Sequence, residues 1–238
     1  MPPPRLFQLL HLADSALPTG GYAFSSGLEA VAKMQLIRSE VELRSYLQAT
    51  LHDLAHFELA WLNGFLELDA SAADHTQPTA QSEAGPVQSL AAAYHASFLS
   101  PSMLRASQIQ GRGLLRLFKR LHPGDTLEPA LAPLQARREW LHFMPIFGRC
   151  MAALGHDPDA IRRLYLFMML RDQMSAAIRL GLLGPNEGHA MQSDLFGECE
   201  IQARAAAPLR PRDALRSCPL IDVAQSAQPR LYSRLFQS

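Results

Sequence analysis

The sequence predicts an all-α fold, a single-domain helical bundle of about nine or ten helices spanning residues 1–238. Apolar residues recur at three- and four-residue steps along most of the chain, which is the spacing that lines one face of a helix. No alternation of apolar and polar residues runs long enough to make a strand, and no segment repeats at a period of 20–50 residues. A hydrophobic content of 48% in 238 residues is enough to build a core.

Leu6, Leu9, Leu10 and Ala13 define a first helix that should stop near Asp14, because Pro18, Gly20 and Gly21 follow. From Val41 to Leu68 the stripe of Leu43, Leu47, Leu51, Leu54, Trp61 and Phe65 predicts one long amphipathic helix. Between Ser71 and Ser89 large apolar residues almost vanish, and a flexible loop is expected over 71–89. Periodicity resumes at Leu90–Phe98. Ser100-Pro101 then supplies a cap and a first-turn proline for a helix running to about Leu121, ended by His122-Pro123-Gly124.

A helix over Leu134–Leu154, bent at Pro145, is expected next. Asp157-Pro158 opens another whose apolar residues surround it nearly completely, placing it in the middle of the bundle. Gly181, Gly184 and Pro185 end that element, and a helix around His189–Ala207 follows. Pro208, Pro211 and Pro219 interrupt further periodicity, so an irregular C-terminal tail is expected over 208–238.

Composition removes several classes of function. Twenty-two Lys and Arg balance 22 Asp and Glu, so no net field draws the protein to nucleic acid or to an anionic membrane. Cys150, Cys199 and Cys218 lie too far apart for a disulfide framework or a Cys-x-x-Cys site, which fits a reducing compartment. The N-terminus lacks a signal-peptide pattern and no run of about eighteen apolar residues occurs, so a cytoplasmic protein is expected.

Catalytic patterns are absent as well. There is no nucleotide loop, no Gly-x-Ser-x-Gly elbow and no paired carboxylate arrangement, and no enzyme activity or bound cofactor is expected. His52 and His56 share a helix face with Asp53 nearby. A zinc site wants three or four ligands and the zincin motif is missing, so no metal site is assigned. His142, among Trp140, Phe143 and Phe147, reads as a satisfied core histidine.

The run Asp14-Ser-Ala-Leu-Pro-Thr-Gly-Gly-Tyr-Ala-Phe-Ser-Ser-Gly-Leu-Glu29 is unusual for a connection between helices. On its residues alone it is either a capped corner or a functional surface: Ser25 or Ser26 can cap a helix starting near Gly27, with Glu29 in its first turn. The run closely resembles the N-terminal signature of the urease accessory protein UreF family. Gln110–Leu117, His142–Gly148 leading through Ala152–Gly155 to Ser175–Leu180, and the tail Leu231–Ser238 resemble the same family in the same order. Departures are Gln228-Pro229 where the family's tail often has His-Glu, Asp172 where many members have Asn, and a longer 71–89 stretch.

The resemblance implies a non-catalytic, dimeric all-α chaperone that joins a UreD/UreH-type protein and the UreG GTPase on apo-urease and influences GTP-dependent nickel delivery. It places Tyr232, Arg234, Leu235 and Phe236 of the tail against the UreD-type partner. Gly20, Ser25 and Glu29, with Arg112 and Arg179, fall at or beneath a surface engaging UreG, although Arg179 is alternatively an internal pair for Asp172. The competing reading is a carrier that holds nickel directly through His52 and His56.

Overall fold

The computed structural model describes residues 5–17, 24–68, 85–227 and 235–236. Among these residues the chain forms twelve α-helices and no strand. They are α1 (Arg5–Leu12), α2 (Leu28–Lys33), α3 (Glu40–His56), α4 (Glu58–Glu67), α5 (Pro86–Ala96) and α6 (Pro101–Leu121). After these come α7 (Glu128–Gln135), α8 (Phe143–Ala153), α9 (Pro158–Arg179), α10 (Pro185–Asp194), α11 (Phe196–Ala206) and α12 (Pro219–Ala227).

The count exceeds nine or ten because periodic runs that look continuous in sequence are broken by tertiary contacts. The expected helix from Val41 to Leu68 divides at Phe57, whose backbone departs to φ −105° and ψ −69°. There the His56 carbonyl accepts a hydrogen bond from the backbone N–H of Leu215, and the Arg216 guanidinium lies 3.7 Å over the Phe57 ring. A distant segment has thus taken a carbonyl that would otherwise serve the helix ladder.

Pro145 does not bend its helix. It occupies the first turn of α8, where no intrahelical donor is lost, and the break falls upstream in a 3-10 turn at Arg138–Trp140. Pro185 likewise starts α10 at N1, and Leu195 separates α10 from α11. Two further expectations need correction. Pro86 to Ser89 belong to α5 rather than to a loop, and the tail expected to be irregular over 208–238 contains α12. Pro219 is first-turn proline there, not an interruption.

The caps expected at Ser100 and Asp157 hold, whereas neither Ser25 nor Ser26 caps α2, whose N-cap is Gly27 with no side-chain cap hydrogen bond. Ser100 accepts from the Ser102 N–H at 3.2 Å and Asp157 from that of Ala160 at 2.9 Å; the structure adds a cap at Ser39, which accepts from the Glu42 N–H at 3.2 Å. The α12 start is capped from far away instead: Asp53 Oδ1 on α3 accepts from the backbone N–H groups of Ser217 (2.6 Å) and Cys218 (3.0 Å).

The core sits where α4, α8 and α9 meet, around Leu62, Phe65, Ile146, Phe147, Met151 and Leu166, and α6 packs along α8. Met168 and Met174 are buried in it as packing residues. Asn63 ties the layers together: its amide donates to the carbonyls of Ala206 and Leu209, both at 2.8 Å, and its oxygen accepts from Arg162 at 2.9 Å. His142 is fully buried, between Ser107 Oγ (3.1 Å) and His95 Nδ1 (3.0 Å), with its ring stacked on Phe98. Burial, reinforced by His95 and Arg112, lowers its pKa to about 3, as fits a neutral core imidazole. Cys150, Cys199 and Cys218 are free thiols. No helix of the described residues is long and apolar enough to cross a membrane.

Gly111 sets the α6–α8 approach, since a Cβ there would fall 2.3 Å from the Leu141 carbonyl oxygen and 2.4 Å from the His142 carbonyl carbon. Gly111→Ala should therefore destabilise the fold by about 1–3 kcal/mol through overpacking, although alanine is the better helix former by about 1 kcal/mol. Urea denaturation checks this; a stabilised variant would mean that the helices are not in backbone contact.

Candidate functional site

The signature stretch folds as a pinned corner. Asp14 Oδ1 accepts from the Ala16 N–H at 2.8 Å, closing a local turn after α1. Gly20 lies outside the described residues. Ser26 and Gly27 both adopt positive φ, +49° and +93°, turning the chain sharply into α2. Glycine is required at 27 on two counts, because a Cβ would also approach Gln225 Cγ to 3.0 Å. The corner's carbonyls are held by side chains from other helices: Gln173 Nε2 donates to Ser25 at 3.2 Å and Gln225 Nε2 to Ser26 at 3.3 Å.

Gly27 is the cap of α2 by backbone conformation alone, and the buried Ser25 hydroxyl makes a long contact with the Glu29 N–H at 3.4 Å. Glu29 lies in the first turn, as its spacing predicts, and its side chain is fully buried. A buried carboxylate needs donors. Oε1 accepts from the backbone N–H of Leu235 at 2.6 Å and Oε2 from that of Phe236 at 3.3 Å. Lys33, one turn further along α2, brings Nζ within 3.3 Å of Oε1.

Phe236 is itself buried, with the Arg179 guanidinium carbon 4.1 Å above its ring centroid. Burying such a ring contributes about 1.5–3 kcal/mol, and the cation over its face adds roughly 0.5–2 kcal/mol. Arg179 occupies the last turn of α9, where a cation also complements the helix dipole. Ser25, Glu29, Arg179, Leu235 and Phe236, separated by more than two hundred positions at the extremes, thus form one group.

Other expected residues stand apart from it. Tyr232 and Arg234 lie outside the described residues. Arg112, on α6, makes no hydrogen bond, ion pair or ring contact with the Glu29 group; burial and the cations Arg138 and Arg116 lower its pKa. The alternative pairing of Arg179 with Asp172 is not formed. Asp172 Oδ1 accepts from Arg171 Nε at 2.9 Å and Nη2 at 2.7 Å, and Arg171 also donates to the Ala13 carbonyl. Seven residues are two helical turns, about 10 Å along the axis, whereas the neighbouring arginine reaches the carboxylate directly.

His52 and His56 stack, with ring centroids 4.1 Å apart. His52 Nδ1 shares a hydrogen bond with Ser217 Oγ at 3.1 Å and His56 Nδ1 meets the His52 carbonyl at 2.9 Å. Asp53 is occupied in capping α12. Among the described residues no group of three or more His, Cys, Asp or Glu is placed to hold a metal ion. Sequence reasoning did not single out Lys33, Gln173 or Gln225. Only Lys33 carries a local signal, its four-residue spacing from Glu29.

Fold and site define an all-helical protein in which an N-terminal corner grips the chain's own C-terminal tail. A family model described as UreF matches residues 37–196. The chain is 31% identical over 232 residues to a urease accessory protein F of Arabidopsis thaliana, covering 95% of this chain and 90% of that one. It is 30% identical to a urease accessory protein UreF of Ralstonia pickettii, covering 98% of each, and 29% identical to a urease accessory protein F of Oryza sativa subsp. indica, covering 97% and 84%. The chain belongs to the UreF family of urease accessory proteins.

Removing the acceptor tests the clamp. Glu29→Ala should accelerate hydrogen exchange at the Leu235 and Phe236 amides about tenfold or more, since hydrogen bonds to a charged group contribute about 1.5–3 kcal/mol. Unchanged protection at both amides would show that the tail is held without Glu29.

Proposed function

We propose that this chain is a non-catalytic, cytoplasmic scaffold of urease maturation. As a homodimer it bridges a UreD/UreH-type protein and the UreG GTPase on apo-urease and modulates GTP-dependent nickel delivery, with nickel as cargo. Membership of the UreF family supports the setting. The observation that carries the reading is the union of the two ends of the chain at Glu29.

The tail's position suits docking on the UreD-type partner. Leu235 is 52% exposed beside the buried Phe236, and Leu220 and Val223 on α12 are exposed as well. An apolar outer surface backed by a fixed anchor is the arrangement from which interface hot spots are built. Ser25 and Glu29, both buried, act from beneath any UreG-facing surface by fixing the corner and the tail rather than by touching the GTPase.

The carrier reading through His52 and His56 has less support, because His52 Nδ1 and Asp53 already serve the junction between α3 and the segment leading into α12, and His56 Nδ1 is turned onto the His52 carbonyl within α3. A bridging scaffold predicts no tight stoichiometric nickel site on the isolated chain.

Truncation after Ala207 would remove α12 together with Arg216, so a chain ending at Ala227 is the cleaner probe. In pull-downs with UreD-type, UreG and apo-urease partners, the full chain should capture all three. The Ala227-terminated chain should keep its helical content and lose at least tenfold of the UreD-type protein; full recovery would defeat the assignment of the tail.

A further inference from the structure

The outward side of α6 carries Arg105, Arg112, Arg116, Lys119 and Arg120, and the helix contains no acidic residue. With 3.6 residues per turn, positions 105, 109, 112, 116 and 120 fall within about 80° of one another and form one stripe about 22 Å long. The 3-10 turn at Arg138–Trp140 adds to it, because Gln108 Nε2 donates to the Glu139 carbonyl at 3.1 Å and draws Arg138 alongside. Nearby carboxylates are engaged by other cations, Glu128 by Lys119 at 3.6 Å and Glu139 by Arg137 at 3.4 Å. Among the described residues Arg105, Arg112, Arg116, Arg120 and Arg138 form no ion pair. Arginines on other faces do: Arg44, Arg163, Arg204 and Arg210 each meet a carboxylate at 2.6–2.9 Å.

The free chain gains no stability from this arrangement. Arg112 and Arg116, like Arg116 and Arg120, are like charges four residues apart on a helix, a spacing that destabilises it. Arg112 is half-buried, and burial together with Arg138 and Arg116 lowers its pKa. A face kept at a cost to the folded chain is explained by something that binds to it.

An anionic membrane, a nucleic acid or an acidic protein could supply the counter-charge, and the structure favours the last. Helices that enter a membrane surface need a free apolar face. That of α6 is occupied, with Leu114 and Phe118 buried and Gly111 against the backbone of Leu141 and His142. Binding of single strands uses exposed aromatic rings, whereas the one ring on α6 is the buried Phe118. Ile109, 42% exposed, instead sets an apolar centre among the arginines, which is the composition of protein interfaces.

We propose that the α6 stripe, with Arg138, is a docking surface for a carboxylate-rich segment of a partner protein, whose Asp or Glu side chains pair with the guanidinium groups around an apolar contact at Ile109. It extends the expectation at Arg112 from one residue to a whole face. It is tested without any maturation partner, so it can fail while the bridging reading stands, and the reverse.

Fluorescence anisotropy of the full-length chain with a labelled helical peptide of alanine and glutamate, about 20 residues and so about 30 Å long, provides the test. Saturable binding is expected, absent for a peptide with glutamine in place of glutamate. It should weaken as ionic strength rises from about 0.01 M to about 0.15 M, which shortens the screening length from about 30 Å to about 8 Å. Arg112→Gln combined with Arg116→Gln should reduce affinity about tenfold or more with helical content and urea midpoint retained, since neither side chain has an ion pair to lose. Arg163→Gln, which removes a cation already paired with Glu200, should leave affinity unchanged. Should the double variant fold poorly, Arg105→Gln combined with Arg120→Gln, both exposed on the same stripe, should weaken binding instead. Lack of saturation, affinity unchanged in a folded stripe variant, or tighter binding of phosphatidylserine vesicles or of a single-stranded oligonucleotide would overturn the proposal.

Discussion

A carboxylate with no exposure to solvent has to be answered from within the protein, and Glu29 imposes that requirement on a helix of only six residues. The helix itself offers Lys33. Backbone N–H groups at the far end of the chain supply two more donors, and they arrive together because consecutive amides at Leu235 and Phe236 suit the two oxygens of one carboxylate. Seating the tail in this way buries Phe236 under Arg179 at the end of α9. The first helical corner, the central helix and the C-terminus are thereby joined at one point.

The same C-terminal region shapes the molecule at two more places. Leu215 takes the His56 carbonyl and divides α3 from α4, while Asp53 caps α12 across a sequence distance that no local pattern records. Gln225 of α12 and Gln173 of α9 then hold the backbone of the Ser25–Gly27 corner. The corner is therefore a junction of side chains from several helices, which accounts for its unusual composition better than its role as a connection does. For a protein of the UreF family, this means that a disturbance of the tail reaches the N-terminal signature directly.

What was legible in sequence was local chemistry. The helix formed by Pro101–Leu121, its Ser100 cap, the Asp157-Pro158 start of α9 and the first-turn position of Glu29 all follow from spacing and caps within a few residues. The central, all-round apolar α9 was equally plain, as was the core character of His142. What was not legible depended on partners far away: the break at Phe57, the helix among prolines at 219–227, and the choice of Arg171 over Arg179 by Asp172. Glu29 and Phe236 were each singled out by resemblance, yet only the fold brings them into contact, because a carboxylate's preference for backbone donors carries no sequence signature at the donor's end.

The central claim is that Glu29 and Phe236 act as one unit, and a double-mutant cycle on folding stability measures that directly. Glu29→Ala and Phe236→Ala should each destabilise the chain, and the pair together should cost less than the sum of the two, with a coupling of about 0.5–3 kcal/mol as expected for groups in contact. Strict additivity within about 0.3–0.5 kcal/mol would contradict the account, since it would mean that the buried carboxylate and the tail are stabilised independently.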